Sequence, residues 1–72
     1  MYAFSKSLRH REHVRRYTIE PSPAAGWEVR QEQDSRVVRQ AHYTDWHHVE
    51  RARRAFAIEM RELQSQGWAE VG

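Results

Sequence analysis

Residues 44–68, TDWHHVERARRAFAIEMRELQSQGW, decide how this chain is read. Trp46, Val49, Ala52, Phe56, Met60 and Leu63 recur at spacings of three and four. That period places them on one apolar stripe of a helix about five turns long. Thr44 is a favourable N-cap, and Asp45 a favourable first-turn acid, because unpaired N–H groups there attract negative charge. Gly67 closes the helix as a left-handed residue. Trp68 then falls where an apolar side chain packs back on the last turn, with Leu63 in reach.

Upstream of the helix the period changes to two. Arg36–Tyr43 reads as a strand with Val37, Arg39, Ala41 and Tyr43 on one face and Val38, Gln40 and His42 on the other. Arg39 disturbs the more core-like face, which leaves the register of this strand open, and a bulge would resolve the conflict. Gln33-Asp34-Ser35 is polar and short, as a hairpin turn is. Before it, Trp27, Val29 and Gln31 alternate with Glu28, Arg30 and Glu32 in a second strand. Pro21 to Gly26 separates this from a first strand at Val14–Glu20, where Tyr17 and Ile19 face the core, opposite Arg16, Thr18 and Glu20.

The expected fold is therefore α+β in the order β-β-β-α. It has a three-stranded antiparallel sheet with one C-terminal amphipathic helix packed on one face. The expected core is Tyr17, Ile19, Trp27, Val29, Ala41, Tyr43, Trp46, Val49, Ala52, Phe56, Met60 and Leu63. Residues 1–11 lack a clear period and read as a mobile basic arm, pinned at most by Tyr2, Phe4 or Leu8. Residues 12–72 then form the single small domain, with 69–72 as a frayed tail.

At 72 residues there is room for one domain, which buries only about 60% of its unfolded surface. The chain has no cysteine, which excludes disulfides and Cys-based zinc or iron–sulfur sites. No apolar run approaches the ~20 residues of a membrane span. The N-terminus lacks the apolar segment of a secretory signal, so the expected location is cytoplasmic.

Of the 12 basic residues only Lys6 is lysine. Arginine surpasses lysine in bidentate contacts to phosphate and carboxylate. The excess positive charge sits early in the chain, where Lys6, Arg9, Arg11, Arg15 and Arg16 face only Glu12 and Glu20. Five histidines offer possible ligands. His10 and His13 are close in sequence, and His42, His47 and His48 surround Asp45. Adjacent His47 and His48 point about 100° apart on a helix, so no metal site is expected. Asp45 with either histidine could be drawn as an acid–base pair, but the same spacing describes a helix cap. No serine lies in a nucleophile-elbow context. The reading is of a non-enzymatic protein without cofactor or small-molecule substrate.

The succession of strand, Gly-Trp strand, hairpin, strand, capped helix and closing Gly-Trp, from Tyr17 to Trp68, resembles the layout of WGR domains. The Trp-Gly-Arg triplet that names those domains is absent here. Three-stranded DNA-reading domains of plant ethylene-response factors and phage integrase arms have a similar layout with arginines on the sheet. Here acids interrupt the arginines, so the resemblance implies a fold and no function.

Two binding surfaces follow from the pattern. The outer face of the helix carries Arg51, Arg54, Ile58 and Arg61. It suits a protein partner or a second copy of the chain, with Ile58 as anchor. The alternative is a nucleic acid held by Arg9, Arg11, Arg15 and Arg16, with Arg30 and Arg39 from the sheet.

Overall fold

The computed structural model describes residues 2–71. Its elements run β1 (Phe4–His10), β2 (His13–Pro21), β3 (Trp27–Gln33), β4 (Arg36–Tyr43), α1 (Trp46–Ser65) and β5 (Ala69–Val71). The strands form one five-stranded antiparallel sheet in the order β4-β3-β2-β1-β5. The class is α+β, but the expected three-stranded sheet is corrected to five strands. Both additions come from segments read as an arm and a tail. Met1 of that arm and Gly72 of that tail lie outside the described residues.

β1 pairs with β2 along its whole length, from Phe4 opposite Ile19 to His10 opposite His13. Its helix-facing residues are Phe4, Lys6, Leu8 and His10, so only half of them are apolar. That is too weak an alternation to announce a strand. Leu8 is nevertheless fully buried. Lys6 reaches the edge and pairs with Glu70 at 3.2 Å, while His10 stacks on Trp68 with ring centroids 5.5 Å apart. β5 exists because β1 exists, since it pairs Ser7 with Val71, Leu8 with Glu70 and Arg9 with Ala69.

The other strands follow the sequence pattern closely. Tyr17, Ile19 and Val29 are buried on the helix side. Between β3 and β4 the register shifts at Gln31/Glu32, so that Glu32 pairs with Val37 and Gln31 with Arg39. Val38 is the extra residue of a bulge. The bulge leaves Arg39, Ala41 and Tyr43 on the helix side and turns Val37 to the opposite face. Val37 and Val38 are both about half exposed, at 52% and 55%.

The β3–β4 turn is Asp34-Ser35, with φ of 51° and 69°. Two successive left-handed residues make a type I′ turn, whose twist matches that of the strands. Serine has no intrinsic liking for this conformation, and a left-handed non-glycine residue costs about 1–2 kcal/mol. Ser35→Gly should therefore stabilise the fold by about 0.5–1 kcal/mol after the added flexibility of the unfolded chain is subtracted. A denaturant midpoint at or below the wild-type value would contradict this account of the turn.

Asp34 also ties this turn to the start of β2. Its carboxylate accepts from the Val14 N–H at 2.9 Å and lies 2.9 Å from His13 Nδ1. Its own N–H donates to the Val14 carbonyl at 2.8 Å. The His13 contact first, and the Val14 N–H second, hold the Asp34 carboxyl below its ordinary value of 3.8. A lowered folded-state value means stability that is present above that ordinary value and lost as pH falls through the folded one. The stability difference between wild type and Asp34→Asn should shrink as pH falls below about 4. A difference unchanged to acid pH would show that the carboxylate charge is irrelevant.

The helix begins one residue later than the sequence suggests. Asp45, not Thr44, is the N-cap, and its Oδ1 accepts from the His47 N–H at 2.9 Å. At the other end Gln66 is the C-cap, Gly67 has φ 103°, and Trp68 N–H donates to the Leu63 carbonyl at 3.0 Å. The Gly67 N–H donates to Gln64 O at 3.2 Å, completing the expected Schellman closure.

Val49, Phe56, Met60 and Leu63 seat the helix on the sheet against Leu8, Tyr17, Ile19 and Val29. Trp27, Tyr43, Ala52 and Trp68 are partly buried around them. Trp46, expected in the core, is 40% exposed. It meets the rings of Tyr2 and Trp27 edge-on, at 5.1 and 5.3 Å.

Candidate binding groove beside the β4 edge

β4 is an outer strand of the sheet, so one side of its backbone has no strand neighbour. Between it and α1 lies a groove of about 290 Å³. Val29, Phe56 and the buried Gln31 form its floor, with Ala41, Ala52 and Ala55 around them. The groove exists because small residues face one another there. Ala41 on β4 and Ala52 and Ala55 on α1 leave unfilled the space that larger side chains would take. Tyr43 and His48 wall one end, their rings stacked 5.3 Å apart and 14° from parallel. His42 Nε2 lies 2.6 Å from the Ala25 carbonyl, holding that end of β4 against the β2–β3 loop.

Arg39 and Arg51 also line the groove, and both are exposed. Among the described residues neither has a carboxylate within ion-pair distance. The contrast with other arginines of the same layer is clear. Arg15 meets Glu59 at 3.0 Å, and Arg53 meets Glu50 at 2.7 Å. A largely apolar floor between two unpaired guanidinium groups can hold an apolar side chain and neighbouring carboxylates together.

The candidates from the helix face divide. Arg51 belongs to the groove. Ile58 is 58% exposed and Arg61 is exposed on the solvent side. Arg54 lies 3.5 Å from Glu50, a partner it shares with Arg53. Arg53 lowers the Glu50 carboxyl below its usual range, and its own guanidinium is raised in turn.

The nucleic-acid candidates divide as well. Arg9, Arg16 and Arg30 share the open face of the sheet, as the strand register requires. Arg11 sits in the β1–β2 turn with φ 58°, and its carbonyl accepts from Arg9 Nε at 3.1 Å. Glu20, Glu28 and Glu32 share the open face, and Glu32 lies directly across from Arg16. Among the described residues that gives a surface of mixed sign with no stacking aromatics, unlike sheets that bind nucleic acids. Arg39 lies at the groove. Arg15 points the opposite way, under the helix.

Arg15 is part of a polar cluster that the sequence does not announce. Glu59 Oε1 accepts from Arg15 Nη1 at 3.0 Å and from Gln31 Nε2 at 3.1 Å. The Arg15 guanidinium also lies over the Trp68 ring, 5.4 Å from its centroid. Tyr17 adjoins this pair. Its burial raises the phenol above the ordinary value of 10, and Arg15 opposes that shift. The available signal was positional, because Arg15 and Gln31 alternate onto the core face and Glu59 interrupts the helix stripe between Phe56 and Met60.

The histidines disperse among separate contacts. His10 stacks on Trp68, His13 meets Asp34, His42 meets the Ala25 carbonyl and His48 stacks on Tyr43. Among the described residues no three metal-ligating side chains converge, and no helix is long and apolar enough to cross a membrane. No family model, curated protein or solved structure matches this chain.

Proposed function

We propose that this chain is a small binding module for a protein partner. Its working surface is the β4 side of the molecule, extending across the groove to Arg51. The observation that carries the reading is an outer strand with free backbone groups beside a largely apolar groove whose Arg39 and Arg51 have no carboxylate partner among the described residues. Such edges attract further strands unless something covers or blunts them. The outer helix face, with Arg54, Ile58 and Arg61, continues this surface and gives a second contact region. Ile58 is its exposed apolar residue.

The test is a photo-reactive residue placed separately at Val38, Ile58 and Arg16 of the full chain in its native cell. The expected result is a discrete protein adduct at position 38, a weaker one or none at 58, and none at 16. Adducts at 58 alone would move the surface to the outer helix face. Protein or nucleic-acid adducts at 16 alone would overturn the β4 reading in favour of the open sheet face.

A further inference from the structure

We infer that the occupant of this surface is an extended acidic segment of the partner, added to the sheet as a strand alongside β4. This rests on the reading of the β4 side as the protein-binding surface.

The backbone supplies the first argument. Val38 is the bulge, so the regular part of the free edge is Arg39–Tyr43. A strand laid there can satisfy the outward-facing N–H and C=O groups of β4. Because side chains alternate between faces, every second residue of that strand falls on the helix side, beside the groove. The groove offers those residues Val29, Phe56 and the alanines.

Charge supplies the second argument. β4 contains no acidic residue and carries Arg36, Arg39 and His42. Arg39 and Arg51 flank the groove, and among the described residues neither has an acidic partner. An extended segment complements both features when its alternate, helix-side positions carry an apolar residue flanked by Asp or Glu. A second copy of this chain does not. Pairing β4 with another β4 brings Arg36 and Arg39 of both copies onto one seam, and like charges across strands destabilise it. The bulge at Val38 breaks the same seam.

The experiment uses the full chain labelled with 15N and synthetic peptides matched in length to Arg39–Tyr43. One peptide carries Glu, Leu and Glu at its first, third and fifth positions, which share a face, with Thr at the second and fourth. A second has the same composition in block order, and a third replaces the acids with Lys. The alternating acidic peptide should shift the amides of Arg39–Tyr43, Ala52 and Ala55 saturably. It should also slow hydrogen exchange of the free β4 amides by about tenfold. Arg39→Glu with Arg51→Glu should weaken that peptide by about tenfold or more and make the Lys peptide the better ligand. Both substitutions are at exposed positions, and an unchanged spectrum elsewhere verifies the fold.

Equal binding of the block and alternating peptides, or shifts without slowed exchange, would overturn strand addition. Binding of the Lys peptide by the unsubstituted chain would overturn the acidic partner. A concentration-dependent dimer whose β4 amides are already protected would replace the partner with a second copy. An adduct at Val38 together with silence from all three peptides would overturn the occupant while leaving the binding surface in place.

Discussion

Leu8→Ala should destabilise the fold by about 2–5 kcal/mol, the usual range for emptying a fully buried leucine site. Leu8 has no exposed surface and packs with Tyr17, Ile19 and the helix residues Met60 and Leu63 in one core cluster. A chain of 72 residues has a total stability on the order of 4–11 kcal/mol. The loss is therefore a large share of the whole, and a loss at its upper end against a total at its lower end leaves the variant unfolded at room temperature. Equilibrium denaturation followed by tryptophan fluorescence measures it. A change below about 0.5 kcal/mol, the scale of ordinary surface substitutions, would mean that residues 4–10 are the loose arm their composition suggests. The same packing changes how the nucleic-acid alternative is tested. Deleting residues 1–12 removes β1 and the strand against which β5 pairs. Lost binding in that deletion therefore cannot be assigned to lost arginines. Substitution of Arg9 and Arg16 on the open face is the cleaner test.

Gly26→Ala should be comparably severe, at about 3 kcal/mol, because strain and collision act together. Gly26 has φ 76°, and an added Cβ would stand 2.2 Å from the Tyr43 carbonyl oxygen and 2.9 Å from the Thr44 Cα. Both obstacles are backbone at the junction of β4 and α1, so neither can rotate aside. Gly67 is the natural control. Its φ is 103°, but an added Cβ there meets only the His10 ring, at 3.4 Å. Gly67→Ala should cost about 1–2 kcal/mol, the conformational part alone. Equal losses in the two variants would show that the Tyr43 contact does not matter. A larger loss at Gly26 would identify this contact as what fixes the β2–β3 loop against the β4–α1 junction. The Tyr43–His48 end of the groove lies at that same junction.

Much of the fold is legible in the residues because local chemistry and burial agree there. Gly67 and Trp68 mark the helix end by hydrogen bonds that neighbouring residues can make unaided, while the start falls on Asp45, one residue after the Thr44 that the pattern suggests. Val49, Phe56, Met60 and Leu63 repeat at the helix period, and Tyr17, Ile19 and Val29 at the strand period. The conflict between Val37 and Arg39 is visible as well, but the bulge at Val38 settles it against the pattern: Val37 turns outward and Arg39 stays on the helix side. The binding surface is less legible. Arg51 could be named from the helix and Arg39 from β4. Their meeting at one groove depends on how the helix lies across the sheet.

What the sequence determined by itself is the helix with its C-terminal closure, strands β2 to β4, their turn and the inward residues of β2 and β3. These are properties of dihedral preference and of period, which act within a few residues. The tertiary structure alone decided that the sheet has five strands, that Arg15 and Glu59 pair beneath the helix, and that a groove opens beside β4. β1 contains too few apolar residues, and β5 too few residues of any kind, to declare themselves. Their stability comes from ladder hydrogen bonds and from Leu8 entering a core made by distant residues. The groove likewise arises from small side chains on two elements brought together only by folding.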